Sequence, residues 1–381
     1  MRVAIVHSYY SNRQPSGENV VVDAQAAALR AQGVDVRIIA ARTDTLESNN
    51  GYKLRSALTV ATGAGPSPLR ELKEFCPDIV HVHNLFPNWG TGWLNRWEGP
   101  LVATVHNFRP VCAAGTLYRD GNICTLCPDS SSMNAVKYAC YRNSRTATLP
   151  LAVKTRNGVS GDVLLGRADR VILLSERTRK LYVGFGLASE KIEVIPNFVA
   201  DNGFTPAVCP GTAWVYVGRL SAEKGIRSLL AHWPAEAALD IYGDGPLRAE
   251  VESAVTGNIR YHGQLDHKLV PEVLARARGL VFPSECPEGG IPQAYVEALA
   301  AGRTVIARAG SSASDDLLEA RSGSVFKDWS DFPAALSAAT SLSVIDRQAA
   351  RTHYESEFAP NVFVERMLSV YRTLADGADS D

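Results

Sequence analysis

The sequence predicts an α/β protein of two domains, each built on a doubly wound parallel sheet. The first observation is the length of 381 residues, which exceeds what one hydrophobic core usually organises and suits two domains. The second is the repeated alternation of short apolar runs with helical patterns, which is typical of βαβ units. The third is a stretch rich in Pro, Gly and Asn near the middle of the chain, which has no periodicity and predicts a linker.

The first half contains six short apolar runs that predict strands. A helix is predicted between the first two runs, over residues 19–32, with Val20 and four alanines on its buried face and Gly33 as its stop. We expect these elements to form an N-terminal domain over residues 1–198. The predicted strands are Val3–Val6, Val36–Ala40, Ile79–His83, Leu101–His106, Val171–Leu174 and Glu193–Ile195.

The second half repeats this pattern. Residues 199–212 are predicted to be the linker, and residues 213–358 a second α/β domain. The tail is helical in pattern with a break at Pro360, and we expect residues 359–381 to form a helix that packs on either domain, including a return to the first. The predicted strands are Trp214–Val217, Leu239–Tyr242, Ile259–Tyr261, Leu280–Pro283, Thr304–Ala307 and Ser324–Phe326.

Charge and hydropathy exclude several classes of partner. The formal net charge is −1 and the sequence pI is about 6.7, whereas nucleic-acid binding usually needs a strong basic excess. No run approaches the roughly 18 apolar residues of a membrane span, so any membrane contact is expected to be peripheral. The first eight residues lack the features of a secretory signal. We therefore expect a cytoplasmic protein with no nucleic-acid partner.

One loop in the second half carries two cations directly after a predicted strand. It reads VGRLSAEKGIRSLL and leads into a helical pattern near Gly225. Ligands of open α/β sheets lie beyond the carboxyl ends of the strands. Arg219 and Lys224, beside the free N–H groups of a helix start, suit an anionic ligand such as a diphosphate. The alternative is a solvated basic loop capped by Ser221.

A second loop, after the fourth strand of that half, reads FPSECPEGGIPQ. Its prolines and the pair Gly289 and Gly290 disfavour regular structure, and a helix is predicted to start near Pro292. A Gly pair lets backbone N–H groups approach a ligand closely. Glu297, about one turn into the helix, is placed to accept hydrogen bonds from vicinal hydroxyls. The alternative is a surface turn with Glu297 as a solvated helix residue.

Two further positions follow strands of the first half. The loop HSYYSNRQPSGENVVV places Gly17 before a helix, where it permits close approach to a ligand. His106 ends the stretch LVATVHNF, where an imidazole can bind a substrate hydroxyl or stabilise developing charge. A structural role is the alternative for His106. His81 and His83 lie on the same side of their strand and are interpreted as packing or orienting residues.

Several of these motifs together resemble one enzyme family. The segments GRLSAEKG, GGIPQAYVEALAAGRTVIA, VHVHN, TVHNF and VIPNFV, spread over nearly the whole chain, resemble the retaining nucleotide-sugar glycosyltransferases of glycosyltransferase family 4. The fold of that family is called GT-B and has two doubly wound domains facing a central cleft. The resemblance implies transfer of a sugar from a nucleoside diphosphate sugar to a glycan, lipid-linked or natural-product acceptor. It implies retention of the anomeric configuration and no catalytic metal.

The resemblance also assigns roles to single residues. Arg219 and Lys224, with Gly218, would hold the donor diphosphate, and Glu297 would bind the ribose hydroxyls. His106 would contact the donor sugar near the reacting carbon. The remaining donor contacts would come from the backbone at Gly17, Gly289, Gly290 and Ile291.

The chain departs from the family pattern at one position. Two Glu separated by seven residues are usual, but the residue seven before Glu297 is Gly289, and the nearest acid, Glu288, lies one place earlier. Either the loop bulges to present Glu288 as a catalytic-site residue, or the sugar is held differently. This departure leaves open a nucleotide-sugar epimerase or hydrolase on the same fold, and a non-catalytic subunit that binds nucleotide sugars.

Residues 112–140 of the predicted N-terminal domain are rich in cysteine. Cys112, Cys124, Cys127 and Cys140 follow the spacing C-x11-C-x2-C-x12-C, and the insertion resembles that of a subset of the family. In a reducing compartment such clustering favours metal thiolates over disulfides. Four thiolates suit a structural Zn²⁺. The alternatives are four ordinary thiols or an iron–sulfur cluster.

A basic stretch follows the cysteines. It reads KYACYRNSRTATLPLAVKTR, with aromatic and aliphatic residues between the charges. Such a segment can hold a lipid diphosphate acceptor at an anionic membrane surface, or it can be a solvated face. The residues concerned are Lys137, Arg142, Arg145, Lys154 and Arg156, with Tyr138, Tyr141 and Leu151 interleaved.

Overall fold

The computed structural model describes residues 1–11, 17–201, 203, 211–342 and 344–378. The chain divides into two compact units. The N-terminal unit comprises Met1–Leu117, Cys124–Ile195 and Phe363–Asp381, and the C-terminal unit comprises Tyr118–Ile123 and Pro196–Val362. Most of the predicted linker at 199–212 lies outside the described residues.

The first part of the chain forms eight strands and nine helices over the described ranges. The strands are β1 (Arg2–Tyr9), β2 (Asp35–Arg42), β3 (Ile79–Asn84), β4 (Leu101–Val105), β5 (Tyr118–Arg119), β6 (Asn122–Ile123), β7 (Arg170–Leu173) and β8 (Ile192–Val194). The helices are α1 (Gly17–Ala31), α2 (Thr43–Glu47), α3 (Tyr52–Thr62), α4 (Leu69–Phe75), α5 (Leu126–Asp129), α6 (Met133–Lys137), α7 (Arg145–Lys154), α8 (Val163–Arg167) and α9 (Glu176–Gly184).

The rest of the chain continues the alternation. The strands are β9 (Ala213–Val217), β10 (Ala238–Tyr242), β11 (Ile259–Tyr261), β12 (Gly279–Phe282), β13 (Thr304–Arg308) and β14 (Gly323–Phe326). The helices are α10 (Ile226–His232), α11 (Arg248–Ser253), α12 (Val270–Arg276), α13 (Gln293–Ala300), α14 (Ser312–Ala320), α15 (Phe332–Thr340), α16 (Val344–Glu357) and α17 (Pro360–Ala378).

Each unit contains one parallel six-stranded sheet. The order is β2-β1-β3-β4-β7-β8 in the N-terminal unit and β11-β10-β9-β12-β13-β14 in the C-terminal unit, while β5 and β6 pair as an antiparallel hairpin that belongs to the C-terminal unit. The predicted fold class, two doubly wound parallel sheets, is confirmed. The strand order reverses between β1 and β3 in one sheet and between β9 and β12 in the other. Ligands of such sheets bind beside these reversals.

The twelve predicted strands are confirmed, and their ends differ from the prediction by no more than three residues. All five residues of β4 are buried, as is typical of parallel sheets whose strands are largely apolar on both faces. The largest difference is at β1, which runs on through His7 and Ser8. Both side chains are fully buried, so these polar residues lie in the sheet and not in the loop that their polarity suggests.

The predicted buried face of α1 is wrong. The prediction chose Val20 and four alanines, but Val20 is 42% exposed. The stripe that faces the sheet carries larger side chains, and burying them removes more apolar surface from water than burying alanines does. Its residues are Val21, Val22, Gln25, Ala26 and Leu29.

The predicted break in the C-terminal tail is confirmed, because α16 ends at Glu357 and α17 begins at Pro360. From Phe363 onward the tail belongs to the N-terminal unit. Tyr371 is fully buried there, and its hydroxyl lies 2.6 Å from Nδ1 of His81 on β3. The other ring nitrogen of His81 lies 2.7 Å from the Thr104 hydroxyl on β4. The tail therefore contributes a buried polar contact to the first sheet.

We predict that Tyr371→Phe lowers the free energy of unfolding by about 1–3 kcal/mol, because Nδ1 of His81 stays buried and loses its partner. Denaturant titration followed by circular dichroism measures this change. Tyr138→Phe, which alters an exposed ring, is the control and should leave stability near the wild-type value. Equal midpoints for wild type and Tyr371→Phe would show that the contact does not stabilise the fold.

Candidate functional site

The strand reversal of the C-terminal unit brings together the two loops that carry most of the predicted site residues. One loop follows β9 and contains Gly218, Arg219 and Lys224, and the other follows β12 and contains Glu288 and the glycine pair. Because β9 and β12 are neighbours in the sheet, both loops leave the same edge and flank the crevice where such folds bind ligands.

Two glycines allow these loops to pack closely. Gly225 has φ of +71°, and a Cβ atom there would lie 2.0 Å from the carbonyl oxygen of Pro283. Gly243, in the loop after β10, has φ of +145°, and a Cβ atom there would lie 1.9 Å from the carbonyl oxygen of Gly218. Any side chain at either position would clash with backbone. The amide of Glu285 also donates to the carbonyl of Glu223, so backbone holds the three loops together.

Lys224 forms an ion pair across the two loops. Its Nζ lies 2.6 Å from Oε2 and 2.8 Å from Oε1 of Glu288, and the Ser284 hydroxyl donates to Oε1 of Glu288. Burial by itself lowers the pKa of Lys224, but the Glu288 carboxylate outweighs burial and the net effect is a raised pKa. Lys224 is therefore a cation in this crevice. Glu288 has φ of +57°, an uncommon conformation for a residue with a side chain.

Arg219 is the more accessible of the two predicted cations. Its side chain is exposed, and within the described residues its guanidinium forms neither an ion pair nor a hydrogen bond with protein. Its carbonyl accepts a hydrogen bond from the Tyr216 hydroxyl, which fixes the backbone at the start of the loop. The arrangement leaves an exposed positive group, on the same loop as Lys224, available to an anion.

Glu297 is buried in α13 with a carboxylate oxygen that lacks a hydrogen bond. The side chain is 3% exposed, and burial raises its pKa to about 7, although the charge of His267 partly offsets this. Oε1 lies 3.4 Å from Nδ1 of His267 but has no hydrogen-bond partner among the described residues. The structure thus does not place Glu297 as a solvated helix residue. Gly289 and Gly290 are half-buried in the preceding loop, whereas Ile291 packs its side chain into the core.

A second acid in the same loop was not singled out by its sequence. Oε1 of Glu285 lies 2.7 Å from the Ser228 hydroxyl and 3.1 Å from Nη1 of Arg308. Its other oxygen accepts a hydrogen bond from the Tyr118 hydroxyl of the β5–β6 hairpin. Glu285 and Glu288 lie three positions apart in the segment SECPE. This spacing is the only sequence signal that both carboxylates point inward and form ion pairs with basic side chains.

The N-terminal unit has a cavity of about 260 Å³ beside its own strand reversal. His83 from the end of β3 and His106 after β4 both line it. Nδ1 of His83 lies 3.0 Å from Nε2 of His106. Burial lowers the pKa of His106 to about 3 and that of His83 well below its usual range. Both imidazoles are therefore neutral at physiological pH.

Three other polar residues line this cavity that sequence patterns did not indicate: Glu18, Asn84 and Arg109. Burial raises the pKa of Glu18 to about 8, while Arg109 and Asn84 offset part of that increase. The Arg109 guanidinium lies 4.2 Å from the ring centroid of Phe86. Glu18 directly follows Gly17, which is the exposed first residue of α1; the loop before it, at 12–16, lies outside the described residues.

The four clustered cysteines all lie in the N-terminal unit and are half-buried. Burial raises the pKa of the Cys127 thiol to about 11, and the Cys112, Cys140 and Cys124 thiols act in the same direction, so the four side chains are near one another. No disulfide joins any described cysteine. Among the described residues, no group of three or more His, Cys, Asp or Glu side chains is arranged to hold a metal ion. Metal binding therefore stays a prediction.

The basic stretch has the expected charges on its surface, and one of its apolar residues is buried. Leu151, which is interleaved with these charges in the sequence, lies in the core of this region and is 1% exposed. It points inward because α7 packs against both α3 and α6. Lys154 is half-buried and lies 3.9 Å from Asp162. The other four cations, Lys137, Arg142, Arg145 and Arg156, are exposed.

Known proteins share the fold of the whole chain. A sucrose-phosphate synthase from Thermosynechococcus elongatus has 17% identity and a TM-score of 0.71, with 99% of each chain covered. Anabaena Alr3699/HepE, crystallised with UDP and glucose, has 14% identity and a TM-score of 0.62, with 98% of this chain and 100% of that chain covered. WaaG, a glycosyltransferase involved in lipopolysaccharide biosynthesis, has 16% identity and a TM-score of 0.62, with 99% of each chain covered. No curated protein matches in sequence.

Two protein-family models match in sequence. Residues 15–202 match the model described as Glycosyltransferase Family 4, and residues 211–341 match the model described as Glycosyl transferases group 1. The first match contains the histidine cavity, and the second contains the crevice between β9 and β12. The expected resemblance to glycosyltransferases is confirmed at this level, and the chain is a glycosyltransferase with the GT-B fold.

Proposed function

We propose that the protein transfers a sugar from a nucleoside diphosphate sugar to a glycan, lipid-linked or natural-product acceptor, with retention of the anomeric configuration. The observation that carries the proposal is the cation Lys224 at the strand reversal of the C-terminal unit, with the accessible Arg219 on the same loop. Two cations beside backbone amides suit a diphosphate. The structural relative HepE was crystallised with UDP and with UDP-glucose, which supports the choice of donor class.

In this proposal the donor diphosphate takes over from Glu288 as the counter-ion of Lys224. The carboxylate of Glu288 is then available to accept hydrogen bonds from hydroxyls of the donor sugar. Glu297 accepts hydrogen bonds from the two ribose hydroxyls, because its buried Oε1 lacks a hydrogen-bond donor among the described residues. Amides from Gly289 to Ile291 contact the phosphates and the sugar.

The chemistry proposed is electrostatic and does not use a protein nucleophile. As the bond between the sugar and the diphosphate breaks, negative charge grows on the leaving group and positive charge on the sugar. Lys224 and Arg219 stabilise the leaving diphosphate, and fixed charges of this kind are effective because they need no reorganisation during the reaction. The incoming hydroxyl is held on the same face of the sugar, where its oxygen forms the new bond to the sugar as the bond to the diphosphate breaks, and its proton passes to an oxygen of the leaving diphosphate. Positioning accounts for much of the remaining rate enhancement.

The acceptor is proposed to bind in the cavity of the N-terminal unit. Its volume of about 260 Å³ suits part of a small or lipid-linked molecule. Its wall combines the neutral His106 with Glu18, Arg109, Lys154 and Arg156. The mixture of neutral donors and cations fits an acceptor that carries both hydroxyls and an anionic group.

We predict that UDP and UDP-glucose, as donor probes, stabilise the protein against heat, and that Lys224→Ala and Arg219→Ala each raise the Kd for UDP about tenfold or more. The reason is loss of a charge-assisted contact, worth about 1.5–3 kcal/mol. Isothermal titration calorimetry gives Kd, and a thermal-shift panel of other nucleoside diphosphates covers a different base.

Lys327→Ala is the matched control, since Lys327 is an exposed lysine of the same unit after β14. It should bind UDP as the wild type does. Unchanged affinity in both Lys224→Ala and Arg219→Ala would remove the proposed diphosphate site. With the donor known, an acceptor screen analysed by NMR of the product reports whether the anomeric configuration is retained, and free sugar or an epimer formed efficiently without acceptor would instead indicate a hydrolase or epimerase.

We also propose a structural zinc ion held by Cys112, Cys124, Cys127 and Cys140. The support is the C-x2-C spacing and the proximity of the four thiols. This proximity is evident because the other three thiols all raise the pKa of the Cys127 thiol. Four cysteines form a closed tetrahedral site that stabilises a fold and leaves no position for catalysis. The side chains must rotate to bind metal, because the described arrangement is not that of a metal site.

The zinc proposal predicts about one equivalent of zinc in protein purified without chelator, measured by inductively coupled plasma mass spectrometry. Replacement of Cys124 and Cys127 by Ser should remove the metal and lower the melting temperature. Cys76→Ser, which changes an exposed cysteine outside the cluster, is the control. Metal-free wild-type protein with an unchanged melting temperature after addition of zinc would contradict the proposal. Iron in place of zinc in the purified protein would contradict it too, and would indicate an iron–sulfur cluster at these cysteines.

A peripheral membrane contact is proposed for the N-terminal unit. No helix in the described ranges is long and apolar enough to cross a bilayer. However, α3 and the segment 133–156 contain two and five basic residues and no acidic ones. Exposed apolar side chains stand among these charges, with Leu54 at 69%, Leu58 at 55% and Leu149 at 45% exposed. Basic charge with exposed leucines suits the surface of an anionic bilayer.

We predict that the protein cosediments with vesicles of phosphatidylglycerol and not with vesicles of phosphatidylcholine. The double variant Leu54→Ser, Leu58→Ser should bind about tenfold or more weakly, because each buried leucine contributes about 1.5–3 kcal/mol. Leu318→Ser is the control, since Leu318 is an exposed leucine of the C-terminal unit, 66% exposed. Equal binding of both variants, or none by the wild type, would contradict a contact through this face.

A further inference from the structure

The hydrogen bond between His83 and His106 constrains where each ring carries its proton. Nδ1 of His83 and Nε2 of His106 lie 3.0 Å apart, and the rings stack with centroids 5.3 Å apart. Both rings are neutral, because burial lowers both pKa values far below 7. A neutral imidazole has one N–H and one lone pair. Only one proton can therefore lie between the two rings, and there are two ways to place it.

The surroundings of His83 distinguish the two arrangements. Nε2 of His83 is buried and has no hydrogen-bond partner among the described residues. If His106 donated to His83, the proton of His83 would lie on this Nε2, and a buried N–H would be left unsatisfied. If His83 donates through Nδ1, only a lone pair is left without a partner. Unpaired buried N–H groups are rarer and more costly than unpaired acceptors.

The surroundings of His106 determine which of its ring nitrogens a ligand can reach. Nε2 of His106 is hydrogen-bonded to His83. Nδ1 of His106 makes no hydrogen bond with the described residues. However, it is not one of the fully buried side-chain atoms that lack a hydrogen-bond partner. Nδ1 therefore keeps solvent access. Because His106 lines the cavity of the N-terminal unit, Nδ1 is the ring atom that a bound molecule can meet.

We propose that His83 is the positioning residue of the site, which fixes the proton of His106 on Nδ1 so that His106 presents a neutral N–H donor to a sugar hydroxyl oxygen. The inference rests on the proposed function, since it deepens the role of His106 in that site. With Nδ1 protonated and Nε2 occupied, His106 has no free lone pair and does not act as the base that takes a proton from the acceptor hydroxyl.

The direct test is the tautomer of His106, measured on the full chain with ¹⁵N-labelled histidine by long-range ¹H–¹⁵N correlation NMR. The spectra of His106→Asn and His83→Asn assign the two rings. We expect His106 to be protonated at Nδ1 and His83 also at Nδ1, with no change between pH 6 and 8. A His106 protonated at Nε2, or a mixture of both forms, would overturn the inference. This measurement needs no substrate.

Two variants of His83 separate positioning from packing. His83→Asn keeps an N–H donor near the place of Nδ1, whereas His83→Leu removes it and leaves a side chain of similar bulk. We expect His83→Leu to lower kcat about 10–100-fold, by analogy with the loss of the hydrogen-bond partner that orients a metal-bound histidine, with a smaller change in KM for the donor. His83→Asn should recover most of the kcat that His83→Leu loses. Thermal melts show whether each variant is folded.

The outcomes for this inference and for the proposed function are distinct. Absence of turnover with every nucleotide sugar would contradict the function, while the tautomer of His106 would still be measured. Turnover in which His83→Leu equals the wild type, or in which both variants of His83 lose activity equally while folded, would contradict the positioning role and leave the function in place.

Discussion

The geometry of parallel sheets determines where this protein can bind a ligand. In each unit the strand order reverses once, between β1 and β3 and between β9 and β12, and the loops on either side of a reversal diverge to leave a crevice. Most of the residues proposed to carry chemical function lie on these loops. In the C-terminal unit, Gly225 and Gly243 let the loops approach closely. A carbonyl oxygen of a neighbouring loop lies where a Cβ atom would be at each of these two positions. The rest of the site depends on this backbone packing.

Much of the fold could be predicted because its signals are local. Strands of a buried parallel sheet are continuous apolar runs, and all twelve were recognisable. The buried face of α1 was not, because alanines fit either side of a helix and only tertiary packing selects Val21 and Leu29 over them. The burial of Leu151 is not evident from sequence for the same reason. A basic sequence around it suggests a surface, whereas its burial depends on contacts between α7 and its neighbouring helices.

The candidate site was predictable where one loop contains the whole signal and was missed where the signal is split. Arg219, Lys224 and the Gly-Gly loop are adjacent to strand ends in sequence. The role of Glu285 is evident only from its contacts with Ser228 and Arg308, which lie 57 and 23 positions away in the sequence. Glu18 similarly depends on Asn84 and Arg109. Single-sequence patterns cannot show such pairings, because the contacts that bury these acids are made between separate elements.

Burial lowers the pKa of basic groups in both units, and the partner of each group decides whether it stays charged. Lys224 is kept charged because a carboxylate lies 2.6 Å away and outweighs the cost of desolvation. His83 and His106 are kept neutral because burial lowers both pKa values, and neighbouring histidines act in the same direction. The first arrangement suits a group that must meet a departing anion. In the proposed reaction, the second suits a group that binds a neutral hydroxyl, because a fixed N–H donates to a hydroxyl oxygen without adding a charge.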